Sequence, residues 1–125
     1  MKAFLFVASI FLSAPAMAAD EFTSGDLLRT CKDANIYLKG GSTNAMPSAM
    51  LCLGYLRGVI EGYTTMLEVT PTMDRVYCVP PELTFKDVSK IVTSYLTSNA
   101  TDLRKYTPSS MVLSALKVSY PCGGE

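Results

Sequence analysis

Apolar residues recur every three or four positions in four separate stretches of the chain, which is the pattern of amphipathic helices. The clearest stripe consists of Val88, Ile91, Val92, Tyr95 and Leu96. No stretch shows the sustained alternation of apolar and polar residues that is typical of a half-buried strand. The pattern therefore predicts an all-α domain: a compact bundle of four main helices, with one short helical turn near residues 101–105.

Capping residues and prolines indicate where these helices begin. Pro47 and Pro108 each suit the first turn of a helix, where the missing amide hydrogen costs nothing. Thr84 and Asp87 approximate a capping box, and Thr23 or Ser24 can cap the first helix. The predicted helices cover about residues 24–38, 47–68, 85–96 and 108–116.

The second predicted helix carries a strip of glycines. Gly54, Gly58 and Gly62 repeat every four residues and so lie on one side of the helix. Each costs up to ~1 kcal/mol of helix propensity relative to alanine. We expect the close approach of a neighbouring helix to offset this cost. Arg57 and Glu61, spaced four residues apart in the same segment, indicate a helix in water rather than in a membrane.

The N-terminus has the composition of an export signal. Lys2 precedes an uncharged, mostly apolar run at residues 3–14, and Ala16 and Ala18 supply the small residues of a cleavage site. The run is shorter than the ~20 apolar residues that a membrane span needs. We predict a cleaved signal peptide at residues 1–18 and one exported domain at residues 19–125, with no membrane span after cleavage.

Four cysteines belong to the predicted exported domain: Cys31, Cys52, Cys78 and Cys122. An even number in a small exported chain indicates disulfides, for which sequence alone allows three pairings. In an antiparallel hairpin of the first two helices, Cys31 and Cys52 lie at similar positions along the helix axes. Cys78 precedes the third helix and Cys122 follows the fourth, which places both at one end of an up-down bundle. We therefore predict the pairs Cys31–Cys52 and Cys78–Cys122.

Composition excludes several classes of function. The 11 Lys and Arg residues balance the 11 Asp and Glu residues, so the basic surface of a nucleic-acid-binding protein is missing. The chain has no histidine, which excludes Ser-His-Asp and Cys-His hydrolases and removes the commonest metal ligand. We predict no cofactor, no metal and no catalytic residue. A hydrolase with paired carboxylates stays open as an enzymatic alternative, since Glu61 and Glu68 share a helix face.

One predicted loop has residues suited to contact a protein partner. The segment Val69–Tyr77 contains Met73, Asp74, Arg75 and Tyr77 between prolines and close to a predicted disulfide. A stiff exposed loop suits an inhibitor that inserts into an enzyme cleft, because little ordering entropy is lost on binding. An ordinary connection between two helices is the competing interpretation.

Several short motifs in a fixed order resemble the Rap/Tai immunity proteins of bacterial type VI secretion systems. The matching motifs are Phe22-x-x-Gly25-x-Leu27-Leu28-x-x-Cys31, Cys52-x-Gly54-Tyr55-x-x-Gly58, Cys78-x-Pro80 and Pro121-Cys122. The resemblance implies a periplasmic, all-helical protein that binds and inhibits a peptidoglycan amidase toxin, often as a homodimer. It assigns no toxin-contacting residue, because the matching cysteines and glycines are structural.

The alternative function is that of a periplasmic stress protein, such as an acid-responsive helical chaperone. Without histidine, a switch near neutral pH has no ordinary titrating group. The eleven carboxylates could still drive a pH-dependent switch near pH 4. Protection of many unrelated proteins at low pH would favour this alternative, whereas a single toxin partner would favour an immunity protein.

Overall fold

The computed structural model describes residues 21–123, so the predicted signal peptide at residues 1–18 lies outside the described residues. Its four α-helices are α1 (Ser24–Tyr37), α2 (Met46–Val69), α3 (Phe85–Ser98) and α4 (Pro108–Ser119). Short 3₁₀ turns cover Thr43–Ala45 and Ala100–Asp102. Residues 21–123 include no strand. The predicted all-α bundle of four helices with a further helical turn is confirmed.

Helices α1 and α3 begin with complete capping boxes. The Asp26 amide donates to the hydroxyl of Thr23 at 3.2 Å, and the Thr23 amide donates to the Asp26 carboxylate at 3.0 Å. The Thr84 and Asp87 pair repeats this arrangement, with both distances at 3.2 Å. Each box satisfies amides at the helix start that have no partner within the helix. Local sequence therefore fixes both helix starts.

A glycine turn separates α1 from α2. Gly40 has a φ of +83°, which glycine adopts without the steric cost other residues meet. The Gly41 amide donates to the carbonyl of Ile36 at 3.1 Å. A Cβ atom at Gly41 would lie 2.7 Å from that carbonyl oxygen, so the chain can approach α1 this closely only with glycine.

The core lies where the four helices meet. Its largest fully buried apolar side chains are Leu27, Leu56, Leu96, Leu116, Val92 and Val112. The bundle is thus built around one shared apolar centre to which every helix contributes.

Within the described residues 21–123, no helix is both long enough and apolar enough to cross a membrane.

Both predicted disulfides are present. Cys31–Cys52 joins α1 to α2, with a Cα–Cα distance of 5.1 Å, and both residues are fully buried. Cys78–Cys122 joins the loop after α2 to the chain beyond α4, with a Cα–Cα distance of 4.8 Å. The predicted pairing is therefore confirmed, and the two bridges tie different parts of the bundle.

The expected helix neighbour of the glycine strip is not found within residues 21–123. Gly54, Gly58 and Gly62 are exposed, and a Cβ atom built at each would meet nothing within 4 Å. The bundle instead packs on the opposite side of α2, where Cys52 and Leu56 are buried. The expectation of an intrachain neighbour was wrong, because the apolar stripe of α2, rather than its small residues, determines which face enters the core.

Candidate functional site

The connection between α2 and α3, residues 70–84, is held to the bundle at several points. We call it the α2–α3 loop. The Val76 amide donates to the hydroxyl of Tyr63 on α2 at 2.6 Å. The Cys78 amide donates to the carbonyl of Tyr120 at 2.9 Å, beside the Cys78–Cys122 disulfide. A long connection tied at both α2 and the end of α4 loses little freedom when it binds a partner.

The four residues singled out in this loop fall into two groups. Asp74 and Arg75 are exposed and Met73 is partly buried, so these three lie together on the outer part of the loop. Tyr77 is only 6% exposed and belongs to the core. Its ring packs on that of Tyr63 with centroids 4.9 Å apart. The arrangement gives the loop a polar outer surface and an aromatic anchor beneath it.

The Tyr77 hydroxyl is buried and has no hydrogen-bond partner among the described residues. Burial, with a smaller contribution from neighbouring Tyr63, raises the pKa of Tyr77 to about 12. The phenol therefore stays neutral at physiological pH, and its ring packs in the core.

An apolar pit of about 210 Å³ lies beside the α2–α3 loop. Residues that line it include Ile60, Tyr77, Leu83 and Leu116, and the partly exposed Val79 and Phe85. Small-molecule pockets are usually larger, about 300–1,000 Å³. A pit of this size fits one apolar side chain of a protein partner, which is how many interfaces are anchored.

A second exposed segment lies at the other end of α4, in residues 99–107. Tyr106 is 56% exposed and Arg104 is exposed beside it, while Lys105 pairs with Asp102 at 3.0 Å. Arg104, Lys105 and Tyr106 line an open groove against the start of α1. By sequence, Tyr106 falls in a predicted loop, where an aromatic residue can anchor a protein partner. The exposed cation Arg104 beside it adds to that signal.

The carboxylates of α2 that share a helix face, Glu61 and Glu68, are both exposed. Glu61 accepts a charge-assisted hydrogen bond from Arg57 at 2.7 Å. Glu68 lies seven residues further along the helix, a rise of about 10.5 Å. Residues 21–123 also contain no group of three or more His, Cys, Asp or Glu residues placed to hold a metal ion.

The described residues thus form four helices held by two disulfides, with a tethered polar loop beside an apolar pit. A family model described as Rap1a immunity proteins matches residues 23–122. The comparison with curated proteins found no match, and the comparison with solved structures also found none. The matched segment includes all four helices and all four cysteines.

The chain belongs to the Rap1a immunity protein family. Membership indicates an immunity protein that acts against a secreted toxin, and so a binding protein with a cognate toxin as its partner. The two disulfides and the family agree with a location outside the cytoplasm, where disulfides persist.

Proposed function

We propose that this chain is a periplasmic immunity protein that binds and inhibits a peptidoglycan amidase toxin delivered by a type VI secretion system. The observation that carries the proposal is the family match over residues 23–122. In this proposal residues 1–18 are a cleaved export signal and residues 19–125 are the inhibitor domain. The protein inhibits by occupying the toxin's surface, without cofactor or turnover, and two copies associate with each other.

The α2–α3 loop is the part of the chain that we propose contacts the toxin. Asp74 and Arg75 supply charges that orient the complex, and Met73 adds a flexible apolar contact. Tyr77 contributes indirectly, because it packs on Tyr63 and supports the loop from below. The adjacent pit would receive an apolar side chain of the toxin. A pre-ordered loop and an apolar anchor together support tight binding.

The function is tested by protection in cells. The candidate toxin is a small exported protein that is encoded by the adjacent gene and carries a Cys-His amidase signature. It is directed to the periplasm together with this chain. We expect growth to be restored by the full-length chain. A variant lacking residues 1–18 serves as the control and should not protect, because it stays in the cytoplasm. Failure of the exported, folded chain to protect, or cleavage of peptidoglycan by the purified chain, would contradict the proposal.

The contact surface is tested by two matched double variants. Asp74→Ala with Arg75→Ala should weaken toxin binding at least about tenfold, the loss expected when oriented charges leave an interface. Arg104→Ala with Tyr106→Ala removes an exposed cation and an exposed aromatic residue at the other end of α4 and should leave the Kd unchanged. Isothermal titration calorimetry measures both. The opposite result would move the toxin contact to residues 99–107.

A further inference from the structure

The two disulfides differ in their access to solvent. Cys31 and Cys52 are fully buried, and the equally buried Ser89 of α3 places its hydroxyl oxygen 3.8 Å from Cys52 Sγ. Cys78 is exposed and Cys122 is partly exposed. A thiolate breaks a disulfide by direct attack on one of its sulfurs, so access decides which bridge reacts. A reagent in solvent therefore reaches the Cys78–Cys122 bridge without opening the core, whereas the other bridge stays covered by α3.

The chain on either side of the exposed bridge leaves room for a reagent as large as a protein. Val79 is 41% exposed and Pro81 is exposed, and residues 77–80 belong to neither a helix nor a strand. Pro121 and Gly123, the neighbours of Cys122, are also exposed. No helix of the bundle thus shields this sulfur pair in the way that α3 shields the buried one.

We propose that Cys78–Cys122 is a site of thiol–disulfide exchange, at which an external dithiol reduces this bridge while Cys31–Cys52 stays intact. The shared chemistry of the partners is a pair of neighbouring thiols, one of them ionised. Proteins with a Cys-x-x-Cys motif carry such a pair, and small dithiols supply the same chemistry.

The exchange takes place in two steps. One thiolate of the dithiol attacks Sγ of the more exposed Cys78, which forms a mixed disulfide and releases Cys122 as a thiolate. The second thiolate of the dithiol then attacks its own sulfur in the mixed disulfide, closes a disulfide within the dithiol and releases Cys78. Both released thiolates take up protons from water. The protein gains two electrons and two protons, and the dithiol is oxidised to its disulfide.

The reduced state has a partner for one of the new thiols. Cys122 Sγ lies 3.7 Å from the carbonyl oxygen of Arg75, so the S–H group formed on reduction can donate to that oxygen. A thiolate would gain nothing from a carbonyl, since both are electron-rich. This contact therefore favours the protonated thiol at Cys122 and leaves Cys78 as the more reactive sulfur.

Reduction releases the α2–α3 loop without unfolding the bundle. Two hydrogen bonds still hold the loop: the Val76 amide to the Tyr63 hydroxyl at 2.6 Å, and the Cys78 amide to the Tyr120 carbonyl at 2.9 Å. Without the covalent tether the loop opens more often, because local opening then breaks only these bonds. Since this loop is the proposed toxin contact, reduction would weaken inhibition. That consequence rests on the proposed function, whereas the exchange itself is measured without toxin.

The exchange is tested by mapping which cysteines become free in the folded protein. The disulfide-bonded chain is treated with dithiothreitol in the absence of denaturant, alkylated with iodoacetamide at intervals, and analysed by peptide mass spectrometry. We expect Cys78 and Cys122 to be labelled at least about tenfold faster than Cys31 and Cys52, which react only when the core opens. Equal labelling of both pairs, or none before the protein unfolds, would overturn the proposal.

A protein dithiol is the second arm of this test. Reduced thioredoxin should give the same selective labelling, and thioredoxin whose second active-site cysteine is replaced by serine should be trapped as a mixed disulfide on Cys78. Trapping on Cys122 would contradict the assignment of the attacked sulfur. Labelling by dithiothreitol without labelling by thioredoxin would still establish the exchange site and would restrict its source to small dithiols.

Cleavage by trypsin after Arg75 measures the release of the loop. Once the reduced chain is alkylated and freed of reductant, cleavage there should be at least about tenfold faster than in the disulfide-bonded chain, whereas cleavage after Arg104 should be unchanged. The double variant Cys78→Ser with Cys122→Ser should show the fast cleavage at Arg75 without any reductant. Unchanged cleavage at Arg75, or equal acceleration at both arginines from unfolding of the whole bundle, would overturn the proposed release.

Discussion

At the scale of single residues, Tyr63 and Tyr77 support the α2–α3 loop in different ways. Their rings pack together with centroids 4.9 Å apart. The Tyr63 hydroxyl accepts the Val76 amide at 2.6 Å, whereas the Tyr77 hydroxyl is buried without a described partner. The Tyr63 hydroxyl therefore holds the backbone of the loop, whereas the Tyr77 hydroxyl is a polar group buried in the core together with its ring.

Removing each hydroxyl should have opposite effects on stability. Tyr63→Phe deletes the acceptor of the Val76 amide, and we expect the free energy of unfolding to fall by about 0.5–1.5 kcal/mol. Tyr77→Phe removes an unpaired buried hydroxyl and should leave stability unchanged or raise it by up to about 1 kcal/mol. Urea unfolding of the two variants measures the difference. A larger loss for Tyr77→Phe than for Tyr63→Phe would show that the Tyr77 hydroxyl has a partner.

At the scale of helices, the capping boxes make the starts of α1 and α3 sensitive to acid. Hydrogen bonds from Thr23 hold the pKa of Asp26 below its usual value, and those from Thr84 do the same for the pKa of Asp87. A carboxylate with a lowered pKa stabilises the folded state above its unfolded pKa. That contribution is lost as the pH falls through the lower pKa of the folded state.

Stability should therefore fall as the pH drops below about 4, the ordinary pKa of an aspartate. Asp26→Asn together with Asp87→Asn should flatten this decline, because an amide cannot titrate. Asp33→Asn, on α1 but outside both boxes, is the matched control and should keep the dependence. Circular dichroism during urea unfolding at pH 3–6 gives the comparison. An unchanged slope in the double Asn variant would show that other carboxylates determine the acid response.

The same elements show how far sequence determines this fold. The Thr84 and Asp87 box was predictable because a cap involves only neighbours within three residues. The disulfide pairing followed from helix direction and rise alone. The open side of α2 could not be predicted, because the position of a neighbouring helix depends on tertiary packing. Likewise, the sequence places Tyr77 in a loop, but its side chain is buried because it packs on Tyr63 of α2.

At the scale of the whole molecule, the two disulfides act on different parts of the structure. Cys31–Cys52 lies in the core between α1 and α2 and spans 21 residues of sequence. Cys78–Cys122 spans 44 residues and ties the α2–α3 loop to the end of the chain. On the chain-entropy model each contributes about 3–4 kcal/mol, a large part of the ~5–15 kcal/mol typical of a domain. Only the second is in a position to affect the loop.

Removing each disulfide in turn should show which one affects stability alone and which one also affects toxin binding. Cys78→Ser with Cys122→Ser should lower the free energy of unfolding by about 3–4 kcal/mol and, because the loop is no longer ordered before binding, weaken toxin binding. Cys31→Ala with Cys52→Ala also leaves a cavity in the core, so its loss of stability should be larger. Any folded fraction of that variant should nevertheless bind the toxin normally. Denaturant unfolding and calorimetric titration give both quantities, and unchanged binding without the Cys78–Cys122 bridge would contradict a pre-ordered loop as the source of affinity.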